Sequence, residues 1–400
     1  MTQSAAESPV DPSHSAFASE VEAALARLRL AAGELIHASQ LQIERATDLQ
    51  RALGVGPAIA WQLYRLATVE SSFAALAFTP RVGSMDRLLR AAREHGFRVS
   101  AVEGMSKVYE EFSRLVSYHA GDRDTFDAMV APLGNGTTGQ IELKHRRAAF
   151  RGNVQVWGYQ ASTVYRACVC HPSTKPGHEA AAFVAGFVAI RQLRPTNPIP
   201  ILRRKVFIER HGQVSEFDVS AQGPALIEEF STATPSSIMA VGDGKHVRET
   251  LTLEGVGRAA SVTCFLTDTV WDGPPRTADT PWSMGLMVSV PCETLIIDLL
   301  VPRGASQSAG VRVRTFGNPS NVDSAMTQSD EYLVPTRETG SYLGTSLDAL
   351  QAAEVARCPS LVRHVLRRNG WEGAEFDLYR CRVRYPILHT AVSLDVPVKA

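Results

Sequence analysis

Three groups of residues in this chain are of the types, and at the spacings, that do chemistry. The first is Cys168-Val169-Cys170-His171, with His178 and Glu179 a few residues on, which collects metal-ligand types. Structural zinc sites space their cysteine pairs C-x₂₋₄-C and add a second such pair. Here the spacing is C-x-C with no second pair, so both thiols fall on one face of a strand as small buried side chains. No metal and no cofactor is implied. The second group is the run KHRRAAFRGN (144–153), in which Lys144, Arg146, Arg147 and Arg151 precede Trp157 and Tyr159. Cations beside aromatic rings are what a nucleic-acid stacking surface needs. They are equally what a solvated or intramolecular face over a sheet needs, and that plainer role leads.

The third group is DLQRALGVGPAIAWQLYRLA, residues 48–67. Thr47 and Gln50 have the spacing of a capping box at the start of a short helix. Leu49, Ala52 and Leu53 give that helix an apolar face. Gly54 can adopt the positive φ of a tight inter-helix turn, and Gly56-Pro57 opens a second helix with proline at its favoured first position. Ile59, Ala60, Leu63 and Leu66 form an inward stripe. Ala58, Trp61, Gln62 and Arg65 are left outward.

LQRALGVGPAIAWQLYR resembles the helix-turn-helix of bacterial transcriptional regulators, Leu-Ala-x-x-Leu-Gly-Val-Ser-x-x-Thr-Val-Ser-Arg. Leu49, Leu53, Gly54 and Val55 carry the match, over about 20 of the 400 residues. The resemblance implies a second helix in the major groove of double-stranded DNA, with Gln62 as an adenine reader and Arg65 as a phosphate or guanine contact. Arg51, Arg81, Arg87 and Arg90 are candidate backbone contacts, with Arg45, Arg93 and Arg98 nearby. The chain departs from the pattern at Gly56, Pro57, Ile59 and Ala60, where the family often has hydroxyl residues that hold phosphates. Trp61 is an interface candidate, since tryptophan on an outer face suits a protein contact.

The elements that must position these groups follow from pattern and composition. Val21, Ala24, Leu25, Leu28, Leu35 and Ile36 recur at helical spacing, predicting one long helix over 17–36 that would suit a dimer interface. Met105, Val108, Tyr109, Phe112, Leu115 and Val116 predict another, and residues 85–96 a basic helix ending at Gly96. The expected organisation is a disordered lead-in (1–16), a helical domain with the helix-turn-helix (17–133) and a linker at Pro132 and LGNGTTG (133–139). A basic strand-helix segment (140–205) and an α+β domain (206–400) follow, the last two open to being one domain.

Within the later part, residues 154–170 read as one or two strands and PGHEAAAFVAGFVAIRQL (176–193) as a buried helix. Hairpins are expected to turn at His211-Gly212 and near Asp243-Gly244. Strands are expected at VTCFLT, LMVSV, TLIIDLLV, VRVRTF, FDLYRCRVRY and LHTAVSLDV. A helical pair is expected at SLDALQAAEVAR and PSLVRHVLRRNG. The fold class is therefore multidomain α+β: an all-helical N-terminal domain, then a mainly antiparallel α+β region.

The formal net charge is zero, but it is unevenly spread: −3 over residues 1–140, +9 over 141–205 and −6 over 206–400. The middle segment could face phosphates, an anionic ligand or an acidic surface of the same chain. Six scattered cysteines are no disulfide framework, and the longest apolar run (180–190) is too short to span a bilayer. A cytoplasmic protein acting as a homo-oligomer, with no membrane partner, is expected. There is no Gly-x-Ser-x-Gly, P-loop, His-Glu-x-x-His or strand-borne Gly-x-Gly-x-x-Gly. A DNA-binding regulator with a ligand-sensing or assembly domain leads. A scaffold using the helix-turn-helix as architecture follows, then an enzyme of the α+β domain.

Overall fold

The structure, a computed structural model, describes the chain except residues 1–11, 40–41, 134–137, 196–197, 206, 211–212, 217–223, 233–236, 243–245, 274–279, 318–331 and 400. It divides into two compact units, Met1–Glu142 and Leu143–Ala400.

The first unit is all helical: α1 (Pro12–His37), α2 (Ala46–Leu53), α3 (Pro57–Thr68), α4 (Ser72–Ala75), α5 (Val82–Glu94), α6 (Val99–His119) and α7 (Arg123–Val130). Helix α1 begins at Pro12, so the end of the expected disordered lead-in is already helix. Its apolar stripe, Val21, Ala24, Leu25, Leu28 and Leu35, lies in the core of its own unit with Met105, Tyr109 and Phe112 of α6. Glu20 meets His119 and Arg27 meets Glu111 along the same contact. The face expected to suit a dimer is thus spent within the unit, and of its large apolar side chains Leu30 is left outward. Helix α7 is capped by Asp122, whose carboxylate accepts from the backbone N–H groups of Asp124 and Thr125 at 2.9 and 3.0 Å.

The second unit contains α8 (Thr138–Trp157), whose first residues precede the division, then β1 (Tyr159–Pro172), β2 (Glu179–Gln192), β3 (Ile199–Lys205), β4 (Phe207–Arg210), β5 (Gln213–Glu216) and β6 (Ala225–Leu226). There follow β7 (Ser237–Gly242), β8 (His246–Thr252), β9 (Val262–Val270), β10 (Trp282–Met287), β11 (Cys292–Pro302), β12 (Arg312–Phe316), β13 (Leu333–Val334) and β14 (Gly340–Gly344). Helix α9 (Cys358–Asn369), β15 (Phe376–Arg384) and β16 (Ala391–Val396) complete it.

A seven-stranded sheet in the order β14-β15-β11-β1-β2-β9-β6 is its centre, antiparallel except for the pair β1 and β11. One face packs Val164, Cys168, Leu295 and Ile297 against Trp282 and Met284 of β10 and Val392 and Leu394 of β16, which belong to a four-stranded sheet. The other face packs Tyr165, Val169, Ile296 and Leu300 against Leu361, Val362 and Val365 of α9. Two layers cover the sheet, so β1 and β11 are buried along most of their length. Strands from residues 159–192 and from 262–384 share this one sheet, so the basic segment is no separate domain.

Two predicted helices are absent. Residues 179–192 form strand β2, the neighbour of β1 throughout its length. Ala182 and Val184 face α9 while Ala185 and Phe187 face the second sheet. A bulge at Ala189, with φ of 48°, then turns Ile190 back to the second sheet. Burial on both faces and the bulge together erase the period of two that marks a strand. Residues 346–357 hold only a 3₁₀ turn, Leu347–Leu350. The carbonyls of Leu350 and Gln351 accept from the Arg380 guanidinium at 2.8 and 3.2 Å, so they are not free to continue a helix.

The basic run is helical in α8, and so are residues 154–157, the start of the expected strand region, so that β1 begins only at Tyr159. The predicted strand LMVSV lies largely after β10. Strands β4 and β5 pair, as do β7 and β8, as the two expected hairpins require; their turns lie outside the described residues. The loop of Gly134–Gly136 also lies outside them.

Candidate functional site

Helices α2 and α3 meet at Gly54, which has φ of 63°. A side chain there would crowd the imidazole of His95, which follows α5. The cap of α2 differs from the expected one. Arg45, not Thr47, precedes the helix, and its N–H donates to the Asp48 carboxylate at 3.0 Å. Pro57 is the first residue of α3 and Ile59, Ala60, Leu63 and Leu66 are buried. The Tyr64 hydroxyl donates to the carbonyl of Glu44 at 2.6 Å, tying α3 to the segment before α2.

The outward ridge consists of Pro57, Ala58, Trp61, Gln62 and Arg65. Gln62 is half-buried and the others are exposed, Trp61 by 50%. Phe78, in the 3₁₀ turn Leu76–Phe78, reaches this ridge. The Trp61 ring meets it edge-on at 5.3 Å between centroids, and the Arg65 guanidinium lies 4.9 Å from its centre. Nothing in the spacing of residues signals this aromatic bracket, because Phe78 lies well beyond Arg65 along the chain and outside α3.

Of the other candidate cations of the first unit, Arg51, Arg81 and Arg87 hold local partners. Arg51 pairs with Asp48 at 3.4 Å and Arg81 with Asp124 at 2.5 Å. Arg87 donates to the Gly83 carbonyl at 3.1 Å, and Arg90 is exposed on α5. Exposed pairs of this kind are worth little in water and can exchange a carboxylate for a phosphate.

In the second unit the basic run divides. Arg146 is ion-paired with Glu338 and donates to the Tyr385 carbonyl at 3.2 Å. Arg147 lies over the Tyr385 ring, while Lys144 and Arg151 are exposed. Cys168 and Cys170 are buried with their sulfurs 3.8 Å apart. His171 is stacked on Trp371 at 4.6 Å, and His178 Nδ1 sits 2.7 Å from the Gly273 carbonyl. Neither imidazole converges on the thiols. Among the described residues no group of three or more His, Cys, Asp or Glu side chains could hold a metal ion.

Two features lie outside the candidates that residue types and spacing single out. One is a buried polar cluster. Asp298, on β11, accepts two hydrogen bonds from Arg380, on β15, at 2.7 Å each, and one from the Tyr165 hydroxyl at 2.8 Å. The thiol of Cys358, at the start of α9, donates to that hydroxyl at 3.3 Å. Burial raises the Cys358 thiol to about 11 and pushes the Tyr165 phenol well above its ordinary value. The cluster is closed to solvent, with Asp298, Tyr165 and Cys358 all buried. A lone Asp inside TLIIDLLV is the one signal of it along the chain.

The other feature is a groove of about 450 Å³ beside α9, lined by Arg357, Ser360, Arg363, Arg367, Glu229 and Glu372. Arg357 pairs with Glu229 and holds its carboxyl below the usual range, and Arg363 pairs with Asp348. The groove's charge is therefore mixed.

No protein-family model and no curated protein matches the chain. Among the described residues no helix is long and apolar enough to cross a membrane.

Proposed function

We propose that the first unit binds double-stranded DNA through α3, and that the protein is a transcriptional regulator whose second unit senses a ligand or mediates assembly. One observation carries this reading. The α2–Gly54–α3 turn has its apolar residues packed inward and leaves Pro57, Ala58, Gln62 and Arg65 as an accessible ridge. A helix presented in this way can enter a major groove, where Gln62 would read adenine and Arg65 a phosphate or guanine. Arg90 is exposed, and Arg51 can exchange its solvent-exposed pair with Asp48 for a backbone phosphate.

The test is a gel-shift and anisotropy titration of the full chain against DNA from its own locus. Gln62→Ala/Arg65→Ala should abolish sequence-selective binding with an unchanged circular dichroism spectrum. It should also flatten the log–log salt slope by about 0.9 for each phosphate that is no longer neutralised. Binding insensitive to salt, or surviving the double change, overturns the reading.

A second reading is favoured by the bracket of Trp61 and Arg65 on Phe78. A half-exposed tryptophan held by an aromatic partner is the kind of rigid anchor that protein interfaces use. On that reading the helix-turn-helix is a docking element of a scaffold. Trp61→Ala would then dissolve an oligomer and leave any DNA affinity untouched.

A further inference from the structure

We propose that the second unit carries a binding surface for single-stranded nucleic acid, formed by the exposed guanidinia of Arg147 and Arg384 over the buried Tyr385 ring and running along α8 to Trp157. The surface is independent of the helix-turn-helix, since all its residues belong to the second unit.

Its foundation is the short connection between β15 and β16. Two residues there other than glycine, Tyr385 and His389, have left-handed backbones, with φ of 47° and 61°. L-residues avoid this region unless surrounding contacts hold them in it, and such residues collect at binding sites. The holding contacts are present. The Tyr385 N–H donates to the Glu293 carbonyl at 2.9 Å and the His389 N–H to the Val288 carbonyl at 2.8 Å. Both rings are thereby pressed against α8: Tyr385 lies 5.4 Å from Phe150, and His389 meets Trp157 edge-on at 5.1 Å.

Cations converge on the same place. The guanidinium of Arg147, from α8, lies 5.9 Å from the centre of the Tyr385 ring, and that of Arg384, from β15, lies 5.3 Å from it. Arg151 follows Arg147 by one helical turn. Among the described residues Arg147, Arg151 and Arg384 have no carboxylate partner, in contrast to Arg146 with Glu338. Arg194 adds a fourth cation by donating to the last carbonyls of α8, those of Gln155 and Val156, at 2.9 and 2.6 Å. Two like charges over one ring, neither with a carboxylate partner among the described residues, leave their guanidinium donors available to an anion.

Trp157 decides the class of anion. It is 41% exposed. Along α8 it lies about 15 Å from Arg147, at about 1.5 Å of rise per residue. A row of guanidinia ending in an open indole matches a phosphate backbone whose bases are free to stack. A duplex hides those base faces, so a single strand fits the surface better.

The test uses the full-length protein and a labelled thymidine oligonucleotide of about 20 nucleotides, long enough to span an ordinary single-strand site, titrated by fluorescence anisotropy at several salt concentrations. Arg147→Ala/Arg384→Ala should weaken binding at least tenfold and flatten the log–log salt slope by about 0.7 for each phosphate that is no longer neutralised. Arg147→Lys/Arg384→Lys, which keeps the charge, should retain most of the affinity. Trp157→Ala should weaken binding of the oligonucleotide several-fold and leave inorganic polyphosphate, which has no bases, unaffected. Gln62→Ala/Arg65→Ala should leave the oligonucleotide affinity within twofold of wild type, so failure of the helix-turn-helix and failure of this surface are told apart. The proposal is overturned if the wild type does not bind the oligonucleotide. It is equally overturned if the Arg147→Ala/Arg384→Ala variant binds it normally, or if Trp157→Ala weakens polyphosphate and thymidine alike.

Discussion

Asp298 and Arg380 form a two-pronged ion pair in the interior of the second unit, with both hydrogen bonds at 2.7 Å and the aspartate wholly closed to solvent. Burial opposes the charge on Arg380, but the hydrogen bonds and charge of Asp298 outweigh it, and the guanidinium holds its proton above the ordinary value. The pair joins β11 to β15, and through the carbonyls of Leu350 and Gln351 it also fixes the segment leading to α9. Asp298→Asn should therefore strand a buried cation and cost about 3–5 kcal/mol. Urea denaturation checks this. Asp298→Asn/Arg380→Gln should cost less than the sum of the two single changes, whereas strict additivity would show that the pair is not coupled.

At Gly186 of β2 there is no room for a side chain. A Cβ there would run into the Phe265 ring and lie 3.1 Å from the Cβ of Tyr165. Gly186→Ala should destabilise the second unit by about 1–3 kcal/mol, the usual range for overpacking a filled core. A paired change, Gly186→Ala with Phe265→Leu, should recover part of the loss in the same denaturation experiment. No recovery would mean that the backbone, and not the ring, resists.

All six cysteines are buried. Burial pushes the thiols of Cys264, Cys292 and Cys381 up to about 12, so none of the three supplies a thiolate at neutral pH. An aryl disulfide reagent applied at mildly alkaline pH should find less than one reactive thiol per native chain and all six after denaturation. Rapid labelling of the native protein would contradict the packing of the sheet's two faces.

The Asp122 carboxyl is held below the usual range by the backbone N–H of Thr125, the Thr125 hydroxyl and the N–H of Asp124. A depressed carboxyl contributes stability above its unfolded value, and that contribution is lost as pH falls through the folded one. Asp122→Ala should therefore lower the melting temperature of the first unit at neutral pH. The gap from wild type should close as pH drops below about 4. A gap of constant size from neutral to strongly acid pH would mean that the carboxylate charge is not what caps α7.

Much of the first unit follows from local rules. The helical spacing of Val21 to Ile36 and of Met105 to Val116 marks α1 and α6. Gly54, Pro57 and the stripe of Ile59, Ala60, Leu63 and Leu66 mark the turn between α2 and α3, because capping, positive φ and helical periodicity act over a few residues. The alternation of strand residues and the paired hairpins of the second unit are legible for the same reason.

Whatever depends on distant partners cannot be read that way. Strand β2 passes for a helix because its burial comes from two layers far off in sequence, and the turn at Leu347–Leu350 stays short because Arg380 takes its carbonyls. Phe78 under Arg65, Asp298 beside Arg380, and Tyr385 between Arg147 and Arg384 are meetings made by tertiary packing alone. Residue types and spacing determined the α2–Gly54–α3 turn and the α+β class. Only the tertiary structure decided which charges find partners and which face solvent, since that depends on long-range packing in low dielectric and not on neighbours along the chain.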